Sequence, residues 1–550
     1  MRAAFTILFG LFVLAGPASA DPPPAKPKLV VVISIDQFAL DLYQRYRSAY
    51  AGGLKRLSEG LVFTGYQSHA ATETCPGHST LLTGDHPSRT GIVANNWYDR
   101  ATGSNVYCVT ALEAPADPLA RSSAQLKVDA LGDWMRAANP GSRVVSVSFK
   151  DRAAIMMAGH HPTAVFWWSD GGAGFNTSRF AGPADPGTRA IASRFNAELF
   201  RSWKDKPPRL WPVALPQRCK ALQQPHTFGR VVVSGKAPPD SAASALVDGR
   251  FVKNPDFDSE LRASPLSDTL TEGMAETLID AYGLGRGPAS DLLAISFSAT
   301  DLVGHRYGDG GAESCTQVAA LDQTLEHLLA RLDALNTPYV VVLTADHGAI
   351  DAPERKGAPA TRVDVLATMS GLTTHLRGRF GLTYDPLVGD DPRQLVLALP
   401  PDDEKRRPEI VQSAVTWLRH RPEVAGAYTA DEIVAARPPA GKMVTDLTVP
   451  ERFNESFYAP RNGDILVSYR EFATLGVPAG AGATVASHGS PWDYDRRVPI
   501  LIWWRGVTPT DESAPMETVD IAPTLAPLVA VKTPAVDGRC VEIGQGCVSR

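Results

Sequence analysis

The chain has 550 residues, 44% of them hydrophobic and 21% charged, a mixture that excludes a disordered, collagen-like or polytopic membrane protein. Its 54 lysines and arginines against 59 acids give a formal charge of −5, so no basic field runs along it to hold a nucleic-acid backbone. Gly 46 and Pro 44 mark long connections, and the length permits one large α/β enzyme with insertions as readily as several domains.

Residues 1–20 combine an early positive charge (Arg2), an apolar stretch from Ala3 to Ala15 and a small-residue site, Ala18-Ser19-Ala20. This is the pattern of a cleaved export signal. The apolar run is shorter than the roughly 20 residues a membrane span needs, and Gly16-Pro17 interrupts it. Asp21 to Pro27 is a stiff, proline-rich leader. No second stretch of span length follows, so the expectation is a soluble, exported protein with no membrane partner once the signal is removed.

The first buried-type strand, Leu29-Val30-Val31-Val32-Ile33-Ser34-Ile35, runs into Asp36. Apolar runs without strict alternation are the mark of parallel strands covered on both faces. Next comes Thr74-Cys75-Pro76-Gly77-His78, where a hydroxyl residue precedes a proline and a stretch able to be helical, which puts Thr74 at a helix N-terminus. Free N–H groups at such an end bind an anion. Thr74 is a simple cap, or a nucleophile once a metal acidifies its hydroxyl, and a Cys75 thiolate is its chemical rival. Val144 to Phe149 is a second strand, ending in Lys150-Asp151-Arg152. The segment at about 158–285, rich in Pro, Gly, Ser and Trp, reads as an insertion. Leu292 to Phe297 then leads to Asp301, with His305 four residues on, one face of a helical turn.

Thr316 to Leu335 keeps Val318, Leu321, Leu325, Leu328, Leu332 and Leu335 at helical spacing, a core-packed crossover helix. Tyr339 to Leu343 leads to Asp346-His347, and a second insertion occupies about 350–480, with a strand at Leu395 to Leu399 and a helix around Ile410 to Leu418. Both insertions are expected to cap a single catalytic domain spanning 21–550. Ile465 to Val467 and Val498 to Trp503 are further strands of the same buried type, and His488 precedes the last of them. Six cysteines fit an oxidising compartment, and Cys540 and Cys547 are spaced to close a short loop. The pairing of Cys108, Cys219 and Cys315 is not legible, and Cys75 is left open as an unpaired thiol.

Ligands bind at the carboxyl ends of strands in open α/β sheets, so four polar strand endings would converge on one edge. Asp36, Asp301, His305, Asp346, His347 and His488 are enough nitrogen and oxygen ligands for two zinc ions with open positions. Each histidine alone would more often be structural, and the remaining nine receive that reading, with His78 the least settled because it adjoins the Thr74 motif.

Taken in order, Thr74 to His78, Asn95-Asn96-Trp97-Tyr98-Asp99, Phe149 to Arg152, Asp301 to His305, Thr344-Ala345-Asp346-His347-Gly348 and Ser487-His488-Gly489-Ser490-Pro491 resemble the alkaline phosphatase superfamily. More narrowly they resemble its phosphate-irrepressible periplasmic alkaline phosphatases with a threonine nucleophile, a group close to the nucleotide pyrophosphatase/phosphodiesterase branch. The resemblance implies a mostly parallel sheet sandwiched by helices. It implies one zinc on Asp301, His305 and His488, and another on Asp36, Asp346, His347 and Thr74. It further implies a phosphothreonine on Thr74, with Asn95, Lys150 and Arg152 on the phosphoryl oxygens. Two cations favour a monoester dianion over a diester. A phosphodiesterase is the second expectation. A sulfatase is disfavoured because Cys75-Pro76-Gly77-His78 lacks the required pattern, and a serine- and manganese-dependent phosphoglycerate mutase is disfavoured by Thr74 and the signal. A catalytically silent phosphate-binding relative would lack a ligand, and none is missing. A monomer acting on small phosphate monoesters is expected.

Overall fold

The structure, a computed structural model, describes residue 23 and residues 26–547 except 115–116, 118–119, 170–172, 184, 240–245, 248–249, 252–255 and 481. The expected export signal lies outside the described residues. Among the described residues, no helix is long and apolar enough to cross a membrane.

The valine- and isoleucine-rich runs form the middle of a nine-stranded sheet, since branched side chains suit a pleated surface covered on both faces. In chain order its strands are β1 (Leu29–Ile35), β2 (Leu61–Tyr66), β3 (Val144–Ser148), β4 (Ala164–Trp168) and β5 (Phe175–Asn176). They continue with β6 (Asp291–Phe297), β7 (Tyr339–Thr344), β8 (Arg497–Trp504) and β9 (Thr510–Glu517). Their order across the sheet is β9-β2-β8-β7-β1-β6-β3-β4-β5. Strands β7, β1, β6, β3 and β4 run parallel, with Leu29 level with Tyr339 on one side and Asp291 on the other. All of their carboxyl ends therefore meet one edge.

Period-two alternation divides β1 between two cores. Leu29, Val31, Ile33 and Ile35 face the layer containing the helix Ala312–Asp333, while Val30 and Val32 face the opposite layer. That helix buries Val318, Leu321, Leu325, Leu328 and Leu332 as its spacing predicts, but it starts four residues before Thr316 and ends before Leu335.

Two of the expected parallel strands are placed differently. The Val498 run, within β8, is antiparallel to both β7 and β2. Burial on both faces removes the alternation that would otherwise distinguish strand directions. The Ile465 run lies outside the main sheet, in an antiparallel sheet ordered Leu387–Val388, Gln394–Leu397, Ile465–Tyr469, Val424–Thr429. This smaller sheet has its own core, including Leu372, Leu376, Ile410, Val415 and Leu418. In the first insertion, by contrast, β4 and β5 extend the main sheet, and the helix Pro265–Tyr282 buries Met274, Leu278 and Ile279 in the main core.

All six cysteines pair, as Cys75–Cys108, Cys219–Cys315 and Cys540–Cys547. The short carboxyl-terminal loop is as spaced, whereas the open Cys75 thiol is a miss. Its partner lies beyond a connection that carries no spacing signal. Cys219 and Cys315 are 96 residues apart, so their bond restricts a large loop of the unfolded chain. Replacing both with alanine should cost about 2–5 kcal/mol in urea unfolding and leave kinetic constants unchanged. An unaltered unfolding midpoint would show that this crosslink does not stabilise the fold.

Candidate active site

Each polar strand ending reaches the same edge. Asp36 follows β1, Lys150 follows β3, and Asp346 and His347 follow β7. Asp301 and His305 sit on the helix Ala299–Tyr307 after β6, one turn apart as their spacing requires. His488 arrives on the loop before β8, fixed by a hydrogen bond of 2.8 Å between its Nδ1 and the Thr72 carbonyl.

Thr74 opens the helix Thr74–Thr83, with Glu73 rather than Thr74 at the cap position and Pro76 two residues inside. Gly77 has a steric reason to be glycine: a Cβ there would lie 2.1 Å from the Asp346 carbonyl oxygen, so only a bare backbone lets the helix approach the end of β7. The amides of this helix end are less free than the sequence implied. Cys75 N–H donates to Asn95 Oδ1 at 2.8 Å, and Gly77 N–H donates to the Glu73 carbonyl. Cys75 is also no rival nucleophile, because its sulfur is bonded to Cys108.

Arg152 Nη2 donates to Thr74 Oγ1 at 3.4 Å. Tyr107 holds that guanidinium from behind: its hydroxyl accepts from Arg152 Nη1 at 3.4 Å and donates to Asp151 Oδ1 at 2.6 Å. Lys150 is placed differently from Arg152. Its ammonium lies 2.6 Å from Asp301 Oδ2 and 2.9 Å from Asp36 Oδ2, between the two groups of metal-ligand residues.

Those groups are Asp301, His347 and His488 in one cluster and Asp36, His78 and Asp346 in the other, each with ligand atoms within 4.8 Å. The division differs from the one the resemblance implied. His347 stacks on His488, their ring centroids 3.6 Å apart, and His78 lies 3.3 Å from Asp36 Oδ1 and 3.4 Å from Asp346 Oδ2. His305 Nε2 borders the first cluster at 3.3 Å from Asp301 Oδ1, with its Nδ1 fixed at 2.8 Å from the Ala486 carbonyl.

The arrangement fits metal cations. His305 and His488 Nε2 lie 3.3 and 3.5 Å from Asp301 Oδ1, and His347 Nε2 lies 3.3 Å from Asp346 Oδ2. Asp301 Oδ1, Asp346 Oδ2 and His347 Nε2 are nonetheless buried without a hydrogen-bond partner. Such spacings match the edge of a tetrahedron built on the roughly 2.0–2.2 Å bonds of zinc to nitrogen and oxygen, about 3.3–3.5 Å. Two buried carboxylates, those of Asp36 and Asp301, also share one buried ammonium, that of Lys150, with a third buried carboxylate, Asp346, in the neighbouring cluster.

Ionisation follows from these surroundings. Burial alone would raise the Asp36 carboxyl, but Lys150 and His78 outweigh it and hold it well below its ordinary value. Asp346 is pushed up to about 7 by burial and the neighbouring Asp36 charge. Burial drives His347 down to about 3 and His488 to about 4. Both rings are neutral, the form that ligates a metal.

The site sets candidate metal-ligand residues at strand ends beside a hydroxyl at a helix start, and comparison with known proteins places the chain in a family. Residues 30–490 match the family model for type I phosphodiesterase / nucleotide pyrophosphatase. Alkaline phosphatase PhoK of a Sphingomonas species is 39% identical over 536 residues, covering 94% of this chain and 92% of the relative. Alkaline phosphatase PhoD of Zymomonas mobilis is 39% identical over 549 residues, covering 96% and 90%. In fold, the chain superposes on the crystal structure of alkaline phosphatase PafA with a TM-score of 0.76 and 24% identity, covering 96% of this chain and 98% of that one. The chain belongs to the type I phosphodiesterase/nucleotide pyrophosphatase family of the alkaline phosphatase superfamily, and its similarity to alkaline phosphatases of that family extends over nearly its whole length.

Sequence reasoning missed Tyr107, Glu73 and Arg393, and left His78 open. The one available signal was the position of His78 four residues after Thr74, which returns it to the same helix face.

Proposed function

We propose that this protein is an exported, zinc-dependent alkaline phosphatase that hydrolyses phosphate monoesters through a phosphothreonine formed on Thr74. The observation carrying this reading is the Arg152 guanidinium 3.4 Å from the Thr74 hydroxyl, in a site with two clusters of metal-ligand side chains. By the division the resemblance implies, Asp301, His305 and His488 would hold one ion, and Asp36, Asp346, His347 and Thr74 the other; in the structure His347 groups instead with Asp301 and His488, and His78 with Asp36 and Asp346. Bound zinc supplies Lewis acidity and makes a nearby hydroxyl a better nucleophile.

The chain's own groups do the rest. Thr74 Oγ1 bonds to phosphorus as the bond to the ester oxygen breaks, and the alcohol leaves with a proton. Water then cleaves phosphothreonine, releasing inorganic phosphate and restoring the hydroxyl. Arg152 clamps phosphoryl oxygens, Lys150 adds a point charge, and the Asn95 amide, whose oxygen is already occupied by Cys75 N–H, donates through its NH2 end. Phosphoryl transfer asks mainly for such positioning and charge neutralisation.

Three disulfides and the signal-like amino terminus support a periplasmic location. The balanced composition supports small phosphate esters rather than nucleic acid as partners, with the chain acting as a monomer. The matching family description favours nucleotide pyrophosphatase/phosphodiesterase activity as the second reading. Comparative kinetics on an aryl phosphate monoester, the corresponding diester and the sulfate separate the two, and a larger kcat/KM for the diester would overturn the monoester assignment. Chelation should abolish hydrolysis and added zinc restore it. Strict dependence on manganese or calcium would refute the choice of metal.

A further inference from the structure

Arg393 is distant in sequence from every motif described above, in the turn that leads into the strand Gln394–Leu397 of the second insertion, yet it touches both halves of the site. Its Nη1 donates to the carbonyls of His488 at 3.0 Å and Gly489 at 3.1 Å. Its Nη2 donates to Glu73 Oε1 at 2.6 Å. The other Glu73 oxygen accepts from Asn95 N–H at 2.8 Å, and Asn95 in turn receives Cys75 N–H, next to Thr74.

Two features show that the contact is built in. Asp391 Oδ1 pins the arginine by accepting from its backbone N–H at 3.0 Å and its Nε at 2.9 Å, while the Arg393 carbonyl pairs with Val467 N–H in the small sheet. On the receiving side Gly489 has φ +99°, and a Cβ there would lie 1.7 Å from Arg393 Nη1. The loop carrying His488 therefore needs glycine at that position to admit the guanidinium.

We propose that Arg393 is a positioning residue, through which the second insertion sets the His488 loop and the start of the Thr74 helix in one geometry. This rests on the phosphatase reading above. A planar fork with several donors can serve a carboxylate on one side and two carbonyls on the other, which a single ammonium cannot. The insertion is then part of site assembly, beyond any role in covering substrate. Loss of the fork would loosen a metal ligand through its backbone and shift Asn95 and Thr74 together.

The test uses the full-length enzyme and its Arg393→Met and Arg393→Lys variants, with zinc affinity from chelator competition, kcat and KM on an aryl phosphate, and thermal midpoints as a folding control. Removing a group that orients metal ligands lowers affinity by about 10–100-fold, and that loss is expected for Arg393→Met. Its kcat should fall by about 10²-fold, with KM changed less than about threefold, as expected when groups are displaced and binding contacts remain. Arg393→Lys should not restore either quantity. Zinc affinity and kcat at wild-type values in a folded Arg393→Met, or full rescue by lysine, would overturn the proposal. Should Arg393→Met fail to fold, Asp391→Ala frees the guanidinium without removing it, with an expected drop in kcat of about fivefold, the worth of one hydrogen bond. Wild-type kcat and zinc affinity in that variant would equally sink the idea. A wild-type chain that binds zinc but hydrolyses no phosphate ester would refute the phosphatase reading, and the zinc-affinity comparison would still decide the role of Arg393.

Discussion

Thr74→Ala is expected to lower kcat on an aryl phosphate by about 10⁴–10⁶-fold, the scale seen when a covalent nucleophile is deleted. The reason is positional. Thr74 is buried at the first residue of its helix, with its hydroxyl facing Arg152 and its neighbour Cys75 tied to Cys108 and Asn95. No other hydroxyl or thiol identified at the site stands where Thr74 does, so nothing should substitute for it. Metal content should stay near the wild-type value, because the carboxylates and imidazoles remain. Denaturing mass spectrometry of acid-quenched wild-type enzyme should show a phosphorylated peptide containing Thr74. A Thr74→Ala variant within tenfold of wild type would eliminate the nucleophile assignment.

Removing both Lys150 and Arg152 should distinguish ester classes. A monoester dianion presents one more charge and one more free oxygen than a diester, so it has more to lose when two cations go. The double alanine variant is expected to lose about 10³–10⁵ in kcat/KM on the monoester, the range associated with a transition-state arginine, and only about 10–10² on the diester. Arg152→Ala alone is the cleaner half of the experiment. Its guanidinium meets Thr74, whereas Lys150 lies on Asp301 and Asp36, so its removal also unbalances the metal-ligand carboxylates. Metal analysis of each variant controls for that effect. Equal losses on the two esters would mean that these cations do not set the preference for monoesters.

The legible part of the site consists of residues whose chemistry is unusual for their place in the chain. Asp36, Lys150 and Asp346 follow apolar runs that would otherwise end in ordinary turn residues, and the parallel order β7-β1-β6-β3 brings those endings together. Tyr107, Glu73 and Arg393 give no such signal. They are common residue types on irregular or insertion segments, and their roles exist only as contacts. Arg393 and Glu73 are 320 positions apart, and no periodicity connects them. Cys75 and Cys108 escaped for the same reason, since proximity across a 33-residue separation is decided by packing.

By itself, the sequence determined the fold class, the strands that end in metal-ligand side chains, the threonine at a helix start and the resemblance that joined them, because each is written in local pattern and residue type. Only the tertiary structure decided the direction of the Val498 strand, the separate sheet that claims Ile465, the pairing of Cys75, the entry of His78 among the carboxylates and the reach of Arg393 across the site. The physical reason is common to all of these: burial and hydrogen bonding couple residues that are distant in sequence, and a chain records the composition of such contacts but not their partners.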